Sequence, residues 1–318
     1  MDISLVLLSI AFYIAWNIGA NGSANAMGVV VGSGILSFRQ AVLTIAVFTL
    51  LGAYLRGEKV METVGRKVIY SMTPEMAIVI LLSAGLCATI ATLRGLPISV
   101  TQTIVGGVVG VGLALGVSIQ WKIFEKVIIA WILSPILSGI FAFMLYYFYY
   151  KAFKRIKSVK ELEILYKGMA IAGGSYMAFN FGANEVANAV SPLIGAGILT
   201  YKGAGIFGAL SLAIGSLTFS YPVMYTVGKK ITALGPISAF SAQFGSAISV
   251  SLANYFGLPV SSGQAIIGGI IGASIAGGGK IKQEIIERII SGWILAPVIG
   301  ITLSYAVAKL FVFFNLLS

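Results

Sequence analysis

Asn180 to Pro192 reads NFGANEVANAVSP, and near the start of the same chain Asn17 to Gly28 reads NIGANGSANAMG. At an offset of 163, Asn17, Gly19, Ala20, Asn21, Ala24 and Asn25 fall on Asn180, Gly182, Ala183, Asn184, Ala187 and Asn188. Each phrase is rich in amides, broken by glycine and flanked by apolar runs. In a bilayer, buried Asn side chains and loosened backbone are tolerated only around a polar cavity. The phrase therefore reads as a binding site made in two copies.

The surroundings of the phrase are those of a membrane protein. Of 318 residues, 58% are hydrophobic and only 10% charged, far from the soluble globular range. Apolar stretches fall at about 3 to 19, 26 to 37, 41 to 55, 76 to 93, 98 to 119 and 127 to 150, and again at about 164 to 181, 186 to 201, 203 to 227, 237 to 256, 260 to 278 and 289 to 315. Most approach the roughly 20 residues a span needs, which gives an all-α polytopic membrane protein with roughly 10–12 membrane segments. Asp2 stands where a signal peptide carries positive charge, so the first run is expected to stay as a span. The net charge of +11 is read as loop Lys and Arg that set orientation and meet the lipid bilayer, with no nucleic acid partner. A single cysteine, Cys87, allows no internal disulfide, and the chain has no His. That removes the commonest zinc ligand and proton shuttle.

The repeat extends beyond the opening phrase. Thr63, Val64, Gly65 and Lys67 meet Thr226, Val227, Gly228 and Lys230; at an offset of 162, Gly95, Leu96, Pro97, Ser99, Gln102, Gly106 and Gly107 meet Gly257, Leu258, Pro259, Ser261, Gln264, Gly268 and Gly269; Trp131 and Pro135 meet Trp293 and Pro297. Order and spacing hold, so the chain is a duplication: 1–150 is the first membrane repeat, 151–167 a basic linker, and 168–318 the second repeat. If the stretch after each Leu-Pro is re-entrant, each half crosses five times and the two repeats have inverted topology. That model puts both termini outside and the linker in the cytoplasm. It also puts fourteen of the 21 basic residues inside: Arg56, Lys59, Arg66, Lys67, Lys151, Lys154, Arg155, Lys157, Lys160, Lys167, Lys202, Lys280, Lys282 and Arg288. Two parallel repeats, with every stretch crossing, are the alternative. Inverted repeats with broken or re-entrant helices are a common transporter architecture.

The repeated segments carry a consistent chemistry. After each Leu-Pro, with Pro97 suited to a helix start, come Ser99, Thr101, Gln102 and Thr103 in one half and Ser261, Ser262 and Gln264 in the helix start that follows Pro259. A helix that begins inside the membrane aims free N–H groups and a positive dipole end at one point, and two such ends favour a small oxyanion. Asn21, Asn25, Asn184 and Asn188, with freed backbone carbonyls, supply neutral oxygens that suit a cation. Glu185 is the one acidic residue inside an apolar stretch. Burying it costs a few kcal/mol unless a cation, a proton or a polar cavity compensates, which makes it the expected coupling carboxylate. Sodium is expected at Asn21, Asn184 and Glu185. Gly106, Gly110, Gly112, Gly116, Gly268 and Gly272, at mostly four-residue spacing, read as helix packing rather than ligands. Arg94 reads as an interface anchor that can also guide anions.

The paired phrases around Asn21 and Asn184 resemble the duplicated signature of the inorganic phosphate transporters, the PiT family, in which both copies read Gly-Ala-Asn-Asp. The resemblance spans essentially the whole chain. It implies a cell-membrane, multi-pass symporter importing inorganic phosphate with sodium or protons through inverted repeats, often as a homodimer, with no cofactor. The acidic position is Gly22 in the first copy and Glu185 in the second. The first phrase with its Gly22 also resembles that of the sulfate permeases of the same family, so sulfate is the alternative substrate and a passive anion channel a further one. An enzyme is not expected: one buried Glu without His supplies no hydrolytic pair, and no phosphate-cradling GKS or GKT loop is present.

Overall fold

The computed structural model describes residues 2–93, 99–225, 235–279 and 283–317. Sequence expectations on Arg94, Gly95, Leu96 and Pro97, on Thr226, Val227, Gly228 and Lys230, and on Lys280 and Lys282 lie outside these residues. Among the described residues the chain is helical, with one isolated bridge between Ile69 and Ile119 and no sheet. The first half forms α1 (Ile3–Gly32), α2 (Phe38–Arg56), α3 (Glu58–Glu62), α4 (Pro74–Leu93), α5 (Val100–Leu115) and α6 (Trp121–Phe153). The second forms α7 (Val159–Phe181), a π-helical turn (Gly182–Val186), α8 (Ala187–Gly195), α9 (Tyr201–Phe219), α10 (Pro236–Tyr255), α11 (Ser262–Ala276) and α12 (Gln283–Phe313). Among the described residues five segments are long and apolar enough to cross a bilayer: α1, α2, α6, α9 and Ser291–Phe313 of α12. The protein is a multi-pass membrane protein.

Local signals place the helix starts. Asp2 accepts from the Ser4 N–H at the head of α1, Ser37 and Gln40 form a capping box on α2, and Ser158 and Thr200 cap α7 and α9. The starts recur with the sequence repeat: Phe38 and Tyr201 are separated by 163, while Pro74 and Pro236, Val100 and Ser262, and Trp121 and Gln283 are each separated by 162. Only 154–158 separates α6 from α7, so most of the basic segment 151–167 is helix end and helix start.

One expectation is corrected here. The first phrase does not break its helix, because α1 runs unbroken through Asn17–Gly28. The Asn21 amide folds back to the Asn17 carbonyl (3.2 Å) and side-chain oxygen (3.1 Å), so it is satisfied without opening the backbone, and no freed carbonyls arise in this copy. In the second copy the helix widens into the π-helical turn at Gly182–Val186. Such turns recur at functional sites. α11 begins after Pro259, as expected, with Ser261 as its cap, and the Pro259 carbonyl accepts from Trp131 Nε1 at 2.8 Å.

Helices pack at glycine, backbone against backbone. A Cβ on Gly19 would stand 2.0 Å from the Leu212 carbonyl, one on Gly215 1.9 Å from that of Trp16, and one on Gly182 2.0 Å from that of Thr49. The predicted packing role holds for Gly106, Gly110, Gly268 and Gly272, which face the carbonyls of Pro297, Ile301, Pro135 and Gly139. Gly116 differs: its φ of +70° makes it the left-handed cap of α5, with open space around it. These contacts are crosswise. α5 of the first half lies along α12 of the second, and α11 of the second lies along α6 of the first.

Gly272→Ala should therefore force α11 away from α6 and cost about 1–3 kcal/mol of stability, whereas Gly168→Ala, a helical site with nothing within 4 Å, should be neutral or gain about 0.5–1 kcal/mol. Thermal unfolding of the two variants in detergent measures the contrast, and equal melting temperatures would remove the packing argument.

Candidate functional site

The site is built where the starts of α5 and α11 meet the π-helical turn. Ser99 caps α5 by accepting from the Gln102 N–H at 3.3 Å, and Ser261 caps α11 by accepting from the Gln264 N–H at 3.4 Å. The two glutamines form a reciprocal amide pair, Gln264 Nε2 to Gln102 Oε1 at 3.0 Å and Gln102 Nε2 to Gln264 Oε1 at 3.4 Å. That pair clamps the two helix starts together. It also forms part of the lining of an otherwise apolar groove of about 940 Å³ between α6, α11 and α12. Thr103 faces away, donating to the Ser99 carbonyl at 2.9 Å.

Glu185 projects from the π-helical turn between these starts. Its Oε2 accepts from Thr101 Oγ1 at 2.7 Å, and its Oε1 accepts from both the backbone N–H (2.9 Å) and the hydroxyl (2.8 Å) of Ser262. The residue is 6% exposed. The ion pairs among the described residues, Lys67–Glu62 and Lys167–Glu163, lie elsewhere on the surface, so the carboxylate is held by neutral donors and two helix dipoles rather than by a basic side chain.

Asparagines complete the shell. Asn188 donates to Thr101 Oγ1 at 3.3 Å and to Asn184 Oδ1 at 3.0 Å, and its own Oδ1 is buried without a partner. Asn184 donates to the Asn254 side chain and to the Leu258 carbonyl (3.2 Å), and accepts from the Val260 N–H (3.1 Å), which pins the turn to the segment before α11. Asn25 reaches Ser262 Oγ from α1 at 3.4 Å. The structure thus gathers Thr101, Ser262, Glu185, Asn25, Asn184 and Asn188, with Ser99, Ser261, Gln102 and Gln264 shaping the helix starts. Asn21 is not gathered: it is exposed on α1 and its amide donates to Asn17.

Asn254 was not among the predicted residues. Buried at 4% exposure, it links Asn180 (3.2 Å) and Asn184 across α7, the turn and α10. Its signal was an amide late in an apolar run, shortly before Leu258 and Pro259, but the repeat puts Thr92 opposite it, so the duplication does not mark it.

Chemically, converging hydroxyls and a helix N–H already hold a pair of carboxylate oxygens. The same donors match the oxygens of an inorganic oxyanion, while Glu185, the Asn188 oxygen and Thr101 offer acceptors for a cation or proton.

Comparison with known proteins bears on the family and the fold. Residues 18–304 match the model of the phosphate transporter family. A provisional phosphate permease of Pyrococcus horikoshii is 30% identical, over 93% of this chain and 95% of that protein. A sulfate permease of Bacillus subtilis is 33% identical, over 98% of this chain and 88% of that protein. A solved structure titled "The sodium-dependent phosphate transporter" superposes with a TM-score of 0.84 at 26% identity, covering 98% of this chain and all of that one.

The asparagine ladder has a measurable role. Asn254→Ala strands buried amide groups of Asn180 and Asn184, each costing about 1–3 kcal/mol, and should lower the melting temperature in detergent by several degrees. A melting temperature equal to that of the parent would show that the ladder does not hold the turn in place.

Proposed function

The chain belongs to the phosphate transporter family, and on that premise we propose that it is a secondary symporter importing inorganic phosphate with sodium or protons. The observation that carries this reading is Glu185, a buried carboxylate with no basic partner among the described residues, held between the starts of α5 and α11. Its negative charge, with the unpartnered Asn188 oxygen beside Thr101, suits a cation or a proton. The convergent donors suit an oxyanion. One site that holds both ions couples their movement, which a passive channel does not require.

The direction of the helices supports inverted repeats over 1–150 and 168–318. Repeat-related helices run antiparallel where they touch. Between α1 and α7, Gly22 meets Phe181 and Met27 meets Gly174; between α2 and α9, Phe38 meets Tyr221 just beyond the helix, and Tyr54 meets Lys202. With the linker 151–167 in the cytoplasm, this arrangement leaves both termini outside. The homodimer that the family resemblance implies belongs to the same proposal.

Phosphate is preferred to sulfate on protonation. At neutral pH phosphate keeps at least one O–H donor and sulfate has none, so a site with acceptors such as Glu185 and the Gln and Asn oxygens favours phosphate. Gly22, and the likeness to the Bacillus subtilis sulfate permease, favour the sulfate reading.

In proteoliposomes, labelled phosphate should accumulate with an inward cation gradient, and excess unlabelled phosphate should inhibit uptake at least about tenfold more strongly than sulfate, a difference of ~1.4 kcal/mol. Stronger inhibition by sulfate would establish the sulfate alternative. Glu185→Gln should insert normally but lose cation-driven accumulation; concentrative uptake by that variant would remove the coupling role.

A further inference from the structure

The two copies of the phrase differ at one chemically decisive position, since the repeat places Gly22 opposite Glu185. Gly22 is not simply a shortened acid with room left beside it. A Cβ built on it would stand 2.6 Å from Cζ and 3.0 Å from Cε2 of Phe181, a residue only 1% exposed. The repeat places Ile18 of the first copy opposite Phe181, and Ile18 lacks a ring. The aromatic ring that stands against position 22 thus has no aromatic counterpart at position 18.

A second asymmetry agrees. Asn184, beside Glu185, is fully buried and makes three tertiary hydrogen bonds, whereas its counterpart Asn21 is exposed and donates to Asn17 on its own helix. Asn25 of the first copy also turns to Ser262, the residue that Glu185 engages.

We infer that Phe181 fills the seat an acidic side chain at position 22 would need, and so leaves Glu185 as the single coupling carboxylate of the transporter. Phe181 is then the residue that sets how many cations accompany each anion. It acts by exclusion, touching neither ion. This inference rests on the reading of Glu185 as the coupling group.

The experiment combines stability and cation dependence in Gly22→Asp, Phe181→Leu and the double variant. Leu removes both clashing ring atoms while keeping an aliphatic body. Gly22→Asp alone should melt at clearly lower temperature than the parent, and the double variant should recover most of that loss beyond what Phe181→Leu does by itself. Uptake of labelled phosphate against sodium concentration, and in a second series against pH, should give a Hill coefficient of about 1 for the parent, rising toward about 2 in the double variant. A Gly22→Asp protein as stable as the parent, or a double variant that regains stability without a steeper cation response, would overturn the inference. A parent Hill coefficient near 2 would do so as well. If the parent moves neither phosphate nor sulfate, the transport reading fails instead, and the melting comparison still decides whether Phe181 fills the seat.

Discussion

A carboxylate buried without a cationic side chain among the described residues constrains everything around it. Taking Glu185 out of water is tolerable only if the protein replaces its hydration with fixed donors. One donor comes from Thr101 of the first half and two from Ser262 of the second, so the site exists only when both halves are assembled. The amide clamp between Gln102 and Gln264, the serine caps and the Asn184 ladder each fix one of the pieces that must converge. Loss of any of them lets the donors drift from the carboxylate, which then has nothing to offset its burial.

Convergence at this scale needs helices that approach closer than side chains allow. In a membrane, apolar burial gives little force between helices, and close van der Waals contact takes its place. The glycine faces of α5 and α11 let backbone touch backbone on α12 and α6. The polar residues never have to supply the packing, and remain available for ions.

The duplication was legible because both copies keep the same helix-start chemistry, and its starts recur at nearly constant offset. Thr101, Ser262, Glu185, Asn184 and Asn188 were legible for a related reason: polar side chains in apolar runs are costly enough to need a purpose. Other features were not visible in one dimension. Asn and Gly in α1 look like helix breakers, yet Asn21 bonds one turn back and Gly19 is pressed against α9. Gly116 fits a packing spacing but caps a helix. Asn254 has no repeat partner, and the pairing of Gly22 with Phe181 is a contact between distant segments that no spacing encodes.

The crosswise packing also sets a schedule for biogenesis. Gly106 of α5 finds its partner at Pro297, about 190 residues later in the chain (297 less 106). At roughly 5–20 residues per second of synthesis, that delay is on the order of 10–40 s. For that interval α5 has its glycine face uncovered, and its Gln102 amide waits for Gln264 of α11, 162 residues on. The first half thus emerges as an unfinished object whose polar start must be shielded, by lipid headgroups or by the insertion machinery, until α11 is delivered, and whose glycine face stays open until α12 follows.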